Sequence, residues 1–248
     1  MQLSWSVATR LALLVGLVVL AAAPSRAVTL DVFQDGQLVG SLDGDQLNCG
    51  TGAIATCSAQ NVPVGHLLLQ DISLTLDSDP SVSAGIAVQN LLGITAHYTM
   101  VLTMPVAPLG PSTLTGGSVA GGATDNDGVD DGFGNYATLS TLPGSALYTA
   151  MIDGGLYVPL FPHSTVLNVL NPYDSADLPT AGAFGTPIPS LAGPAVTTSI
   201  GIQYDFNLTA QDSASFTGVF VVQPVPEPST ALLLGLGLIA IAKVGRRR

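Results

Sequence analysis

The chain has 248 residues, with 17 acidic and 6 basic side chains, and its formal net charge is −11. Only 9% of the residues are charged, whereas an ordinary soluble domain has about 25%. All six basic residues lie near the two ends, because no Lys or Arg occurs from position 27 to position 242, and this interval holds all 17 acids. This distribution excludes a nucleic-acid-binding protein, which needs cationic side chains facing phosphates. The 47% content of hydrophobic residues argues against intrinsic disorder.

Residues 1–27 have the composition of a secretory signal peptide. Arg10 supplies a positive charge, and the apolar run 11–23 has the length of a signal-peptide core. Small residues favour cleavage after Ala27, with cleavage after Ala23 as the alternative. The apolar run is short for a bilayer core, which needs about 20 residues. We therefore expect an N-terminal signal helix that signal peptidase removes.

The C-terminus consists of three consecutive parts. A proline-flanked triplet is followed by the apolar run 231–242 and then by a basic tail. The triplet is Pro226, Glu227 and Pro228, and the tail holds Lys243, Arg246, Arg247 and Arg248. The apolar run reaches about 18 Å as a helix, and extension over 229–245 brings it near the thickness of a bilayer. Basic residues stay on the cytoplasmic side, so we expect a transmembrane helix with the preceding domain outside the inner membrane.

This tripartite end, 225–248, resembles the PEP-CTERM sorting signal of Gram-negative bacteria. That signal combines a Pro-Glu-Pro triplet, a short transmembrane helix and an Arg-rich end. The resemblance implies that an exosortase removes the tail and passes the domain to the cell surface or extracellular matrix, where such proteins accompany exopolysaccharide and biofilm production. The two prolines keep the triplet extended and accessible. The expected partners are signal peptidase, the exosortase, the membrane during transit and, as a candidate ligand, extracellular polysaccharide.

The exported domain, 28–224, has the periodicity of β-strands. From Ile200 to Leu208 apolar and polar side chains alternate with a period of two. Further strands are predicted at 28–33, 37–42, 72–77, 84–88, 97–104, 146–152 and 216–222. No stretch shows a sustained helical stripe with caps. We expect one all-β sandwich, jelly-roll or Ig-like, in which 105–194, with eleven of the 17 prolines, forms long Gly/Pro-rich loops.

Cys49 and Cys57 are the two cysteines of the chain. In an exported protein, a single close pair favours a disulfide. Closing so short a loop contributes about 2–3 kcal/mol by chain entropy. A metal site would need further ligands, and the nearest histidine, His66, stands alone.

The segment 125–132, with the sequence DNDGVDDG, resembles the Asp-rich calcium loops of thrombospondin type 3 and EF-hand-like repeats. Carboxylates at alternate positions with a glycine can wrap a hard cation. The candidate calcium ligands are Asp125, Asp127, Asp130 and Asp131. The segment departs from the pattern at Ala123, where a first Asp is expected, and no Glu closes the loop. The alternative is a solvated Asp/Gly turn.

The sequence contains no recognisable catalytic motif. His66, His97 and His163 lie far apart and match no metalloprotease pattern, and the exported domain lacks tryptophan, a common platform for sugar stacking. We therefore expect no enzymatic activity and no resident cofactor, with calcium as the one candidate. The predicted role is structural or adhesive at the cell surface. The alternatives are a calcium- or carbohydrate-binding adhesion module and, second, a secreted hydrolase.

Overall fold

The computed structural model describes residues 28–225 except 133, 163–164 and 179–181. Over these residues the regular structure consists of sixteen β-strands in two antiparallel sheets, which confirms the all-β prediction. Within the same part of the chain, no helix is long and apolar enough to cross a membrane. The predicted signal helix and C-terminal helix lie outside the described residues.

The strands follow one another along the chain with mostly short connections. They are β1 (Thr29–Gln34), β2 (Gln37–Asp43), β3 (Ile54–Val64), β4 (Leu67–Asp77), β5 (Ser81–Asn90), β6 (Ala96–Pro105), β7 (Thr113–Thr124), β8 (Ala137–Ser140), β9 (Ala146–Ile152), β10 (Gly155–Pro162), β11 (Val166–Val169), β12 (Ser175–Asp177), β13 (Gly182–Phe184), β14 (Leu191–Gly193), β15 (Ser199–Leu208) and β16 (Ser213–Pro224). The first sheet has the order β10-β9-β15-β6-β1-β2, with β8 against β15 and β11 against β8. The second has the order β12-β7-β16-β5-β4-β3, with β13 and β14 also against β7.

The core lies between the two sheets and is built from alternate side chains of each strand. In β15, Tyr204 and Phe206 are fully buried and face Phe216 of β16. The Tyr204 and Phe216 rings stack with centroids 5.1 Å apart, and the Phe206 ring lies 4.9 Å from the same partner. Such pairs contribute about 0.5–1.5 kcal/mol beyond the burial of their area. The period of two seen in the sequence therefore identifies the face of β15 that packs in the core.

The prediction that 105–194 consists of long loops is wrong for much of this region. This region contains eight strands, β7 to β14, of which only β9 was predicted. The alternation in β7 is hidden because glycines stand where neighbouring groups come close. A Cβ on Gly117 would lie 2.6 Å from the Phe184 ring, and one on Gly121 would lie 2.8 Å from the Ser215 carbonyl oxygen. The strand β7 is therefore specified by neighbouring groups that come close to its glycines. Such contacts leave no apolar pattern in the sequence.

Both ends of the described chain lie at the same end of the sandwich. Tyr98, which pairs with the last residue of β1, donates its hydroxyl hydrogen to Asn90 at the end of β5. The Asn90 amide in turn donates to the carbonyl oxygen of Leu208, the last residue of β15. The end of β1 and the start of β16 therefore share one end, which we call the acidic pole. The start of β1, after Val28, and the end of β16, before Val225, share the opposite end, the terminal pole.

The predicted disulfide between Cys49 and Cys57 is confirmed. The two sulfur atoms are 2.03 Å apart, and the bond joins the turn after β2 to strand β3 at the terminal pole. Cys57 is 2% exposed and belongs to the core. The bond therefore fastens a loop to the buried side of the edge strand β3.

A single carboxylate fastens the β9–β10 turn to the start of β15. Asp153 accepts hydrogen bonds from the backbone N–H groups of Thr197, Thr198 and Ser199 and from both threonine hydroxyls, at 2.7–3.1 Å. Partial burial raises the pKa of Asp153, but these hydrogen bonds outweigh it and hold the pKa well below its usual range. The ionised form of Asp153 is thus the form that stabilises the fold.

We expect Asp153→Asn to lower the stability of the mature protein by about 1 kcal/mol at neutral pH, because solvent screens this exposed carboxylate. Since the folded pKa is depressed, the stabilisation is present above the unfolded pKa of about 3.9 and is lost as the pH falls through the folded pKa. Urea denaturation at several pH values should show the two proteins converging below about pH 4.

Asp35→Asn is the matched control for this prediction. Asp35 also stands at the first position of an Asp-Gly turn, with φ +49° against +51° for Asp153. Among the described residues no donor hydrogen-bonds its carboxylate. An equal loss of stability in both variants would contradict the role given to Asp153.

Candidate cation site at the acidic pole

Two buried carboxylates meet where neighbouring strands of the second sheet end. Asp125 directly follows β7, and Asp212 directly precedes β16. The two strands are antiparallel, and Thr124 pairs with Ser213, so the residues beyond this pair lie side by side. Asp125 is 2% exposed and Asp212 is 1% exposed. Buried carboxylates are uncommon unless they are paired or hydrogen-bonded, so this arrangement requires compensating contacts.

Asp127 adds a third carboxylate to the pair. One oxygen from each of Asp125, Asp127 and Asp212 lies within 4.8 Å of the other two. Asp127 is half-buried, and the exported domain has no Lys or Arg to neutralise the group. Calcium takes six to eight oxygen ligands, and carboxylates are its preferred charged ones. Three converging carboxylates can supply part of such a shell.

The Asp125 carboxylate organises the surrounding loop through backbone hydrogen bonds. It accepts from the N–H groups of Tyr173 at 2.6 Å, Gly128 at 3.0 Å and Asp127 at 3.2 Å. Burial raises the pKa of Asp125, but these bonds outweigh it and lower the pKa below its usual range. The Tyr173 hydroxyl also donates to the Asp127 carbonyl oxygen. Asp125 is therefore ionised and ties two separate loops together.

The pKa of Asp212 is shifted in the opposite direction to that of Asp125. Burial raises its pKa to about 6, and the nearby charges of Asp125 and Asp127 add to this effect. Hydrogen bonds from the Thr209 hydroxyl, at 2.5 Å, and from the Asn126 N–H, at 3.3 Å, partly oppose the shift. Removing the proton from Asp212 thus places two buried negative charges side by side, which a bound cation would neutralise.

Asp130 and Asp131 lie on the same loop, but the structure does not group them with the three converging carboxylates. Asp130 accepts hydrogen bonds from the N–H groups of Gly132 and Gly134, and Asp131 accepts from Asn135. Both line a cavity of about 280 Å³, which Asp127 and Asp212 also line. Of the four predicted ligands, the structure therefore joins Asp125 and Asp127 and leaves the other two at the cavity wall.

The sequence did not reveal Asp212 as a member of this group. It lies 80 positions beyond the end of the Asp-rich segment 125–132 and belongs to no motif. The only local signal is its place in the short turn between two strongly alternating segments. Calcium binding at this cluster stays a prediction.

Among the described residues, one histidine and one carboxylate are in hydrogen-bond contact: His97 and Asp205, on the outer face of the first sheet. Their Nε2 and Oδ1 atoms are 2.9 Å apart, on the neighbouring strands β6 and β15. Among the described residues, no serine, threonine or cysteine side chain hydrogen-bonds to His97. His66 lies in a turn, and His163 is outside the described residues.

The sorting-signal residues lie beyond the described part of the chain, which ends at Val225. Residues 224–248 match the PEP-CTERM protein-sorting motif, which confirms the predicted sorting signal. No curated protein matches the chain by sequence. The chain is thus an exported protein that carries a PEP-CTERM signal, crosses the membrane and is processed by an exosortase on its way to the cell surface. The match does not reach residues 28–223, so the sandwich itself is not assigned to a family.

Proposed function

We propose that this protein is a non-catalytic structural or adhesive component of the cell surface or extracellular matrix, linked to exopolysaccharide or biofilm. The observation that carries the proposal is a PEP-CTERM signal directly after a β-sandwich. A disulfide fastens the loop after β2 to the edge strand β3, and a domain without Lys or Arg presents no cleavage site for trypsin-like proteases. Both properties suit a long-lived extracellular component.

Replacing Pro226, Glu227 and Pro228 by alanine should leave the C-terminal tail uncleaved. Intact-mass analysis should find the wild-type domain without the tail in the extracellular fraction, and the variant with the tail in the membrane fraction. Alanine at 229 and 230 is the matched control, because it alters the residues directly after the triplet and leaves the triplet, the apolar run and the basic tail intact. Tail loss from the triplet variant would contradict processing at this motif.

The matrix role is tested separately by deleting the gene from a host that makes the polysaccharide. We expect the deletion to weaken the cohesion of the matrix, and the wild-type gene to restore it. The gene with the alanine triplet should not restore it, because the domain stays at the membrane. A matrix of unchanged cohesion after deletion would contradict the structural role.

A calcium-dependent adhesion module is the second candidate, favoured by the convergence of Asp125, Asp127 and Asp212. Calcium that binds only the folded state stabilises it by RT ln(1 + [L]/Kd), about 2.7 kcal/mol at 100 times Kd. We therefore expect millimolar calcium to raise the melting temperature of the mature protein by several degrees.

Asp212→Asn should remove most of the calcium effect, because it keeps the shape of the side chain and removes one ligand charge. Asp35→Asn is the control: it removes the same charge at the same pole, outside the three-carboxylate cluster. Two results would contradict the calcium-dependent function. One is a wild-type melting temperature that calcium leaves unchanged, and the other is a calcium-induced shift of the same size in the wild type and both variants.

A further inference from the structure

The last strand of the sandwich runs up to the sorting motif without a linker. In β16, Gln223 pairs with Leu114 and Pro224 pairs with Thr113. The N–H of Val225 then donates to the carbonyl oxygen of Ser112 at 3.0 Å. Pro226, the first residue of the triplet, is the next residue in the chain. Regular hydrogen bonding to the fold therefore continues to within one residue of the motif.

The distance available to a processing enzyme is correspondingly short. Six Cα–Cα steps separate Val225 from Ala231, where the apolar run begins. Even a fully extended chain covers at most about 21 Å in six steps, less than the diameter of a sandwich domain. The triplet lies within three Cα–Cα steps of Val225, so an enzyme that binds it works beside the terminal pole.

The terminal pole also presents a free strand edge at this point. The strand β5 begins at Ser81, which pairs with Val221 of β16, and the N–H of Val222 donates to the Pro80 carbonyl oxygen. Beyond Val222, residues 223–225 are exposed and pair only with the β7 side. The residue whose backbone faces this unpaired edge is Pro224, which has no N–H, so a partner can contact the segment through side-chain packing and one carbonyl oxygen rather than through a strand ladder.

The folded domain also begins close to the expected N-terminal processing site. Val28 is 1% exposed and β1 begins at Thr29, so the fold also begins directly after the expected cleavage at Ala27. Both predicted membrane segments therefore join the described domain at the terminal pole.

We propose that the exosortase docks on the terminal pole when it binds the triplet, in contact with Ser112 and with the free edge of residues 223–225. The inference rests on exosortase processing of this chain and adds that the folded domain is part of the surface the enzyme contacts. The partner that docks on the terminal pole is the part of the exosortase on the outer side of the membrane.

The test measures the rate of tail removal for the full chain with bulky substitutions on the pole. Ser112 is exposed, and Ser112→Trp should slow processing about tenfold, the effect of a steric penalty of about 1.4 kcal/mol. Gln223→Trp, at another exposed position, is a second variant. Pulse labelling followed by intact-mass analysis gives the rate.

A linker variant separates contact with the enzyme from damage to the fold. Insertion of about ten Gly/Ser residues between Val225 and Pro226 lets the triplet reach the enzyme away from the pole. In this background Ser112→Trp and Gln223→Trp should be processed at the rate of the linker parent. Ile94→Trp, at the acidic pole where Ile94 is 67% exposed, should be processed at the wild-type rate in either background.

Three outcomes would overturn the inference. The first is wild-type processing of both tryptophan variants without the linker, which means that the enzyme does not contact this pole. The second is a defect that persists with the linker, which places the effect in folding. The third is a wild type that keeps its tail altogether, and this result alone also overturns exosortase processing.

Discussion

Asp125→Ala is expected to lower the free energy of unfolding by about 2–4 kcal/mol in calcium-free buffer, because it leaves three loop N–H groups without an acceptor. Those groups belong to Tyr173, Gly128 and Asp127, on two different loops. Removing the carboxylate also relieves its repulsion with Asp212, which offsets part of the loss. A native domain has only about 5–15 kcal/mol of stability, so urea denaturation of the mature protein should show a large shift of the midpoint.

The neighbouring carboxylate provides the control. Asp127 is half-buried, and its side chain accepts a hydrogen bond from the N–H of Val129. Asp127→Ala should therefore cost about 1 kcal/mol or less. Asp125→Asn should fall between the two, because the amide keeps one acceptor oxygen. Equal effects of alanine at 125 and 127 would show that the buried carboxylate does not hold the two loops together.

Gly218→Ala is expected to destabilise the protein by about 1–3 kcal/mol, because its new methyl group would overlap a buried hydroxyl. Gly218 lies in β16 between β5 and β7, and a Cβ built there would overlap Oη of Tyr204 and lie 3.2 Å from Cε2 of Tyr148. Tyr204 is fully buried, so its ring cannot swing into solvent to make room. Urea denaturation measures the loss.

The hydroxyl of Tyr204 gives this prediction a second test. It is buried, and no described residue accepts its hydrogen bond. Burial raises the pKa of Tyr204 above its usual range, so the hydroxyl stays neutral. Tyr204→Phe should therefore stabilise the protein by about 0.5–2 kcal/mol and should reduce the cost of Gly218→Ala in the double variant.

Tyr148→Phe is the matched change, and we expect it to lower the stability of the protein, whereas Tyr204→Phe should raise it. The Tyr148 hydroxyl donates to the Val219 carbonyl oxygen at 2.8 Å, so its removal leaves a part-buried acceptor without this donor. We expect a loss of about 1 kcal/mol. Loss of stability in Tyr204→Phe, or additive effects of Gly218→Ala and Tyr204→Phe, would contradict this account of the core.

The sorting signal and the three-carboxylate cluster lie at opposite poles of the sandwich. The sorting signal leaves from the terminal pole, where regular structure ends at Val225. The carboxylates of Asp125, Asp127 and Asp212 lie at the opposite pole, beyond the other ends of β7 and β16. The candidate cation site therefore lies at the end of the sandwich away from the segment that the exosortase processes.

The β-strands with a regular period of two could be predicted because one face of each contacts the core. β6 and β15 are the clearest cases, and their predicted and observed bounds differ by a residue or two. β7 and β3 were missed. In β7 the glycines at 116, 117, 121 and 122 remove the apolar signal, and β3 alternates small or polar residues such as Ala55 and Ser58. Packing of neighbouring groups, rather than side-chain hydrophobicity, selects these strands.

The sequence by itself determined how the protein is exported, because the sorting signal is a contiguous segment whose proline, apolar and basic parts act in linear order. It also determined the all-β class and the disulfide, since strand periodicity and a lone close cysteine pair are local properties. Only the tertiary structure decided that Asp212 joins Asp125, and that Val28 and Val225 lie at one pole. These contacts arise from strand pairing between distant segments, and the pairing of β7 with β16 leaves no pattern in either segment alone.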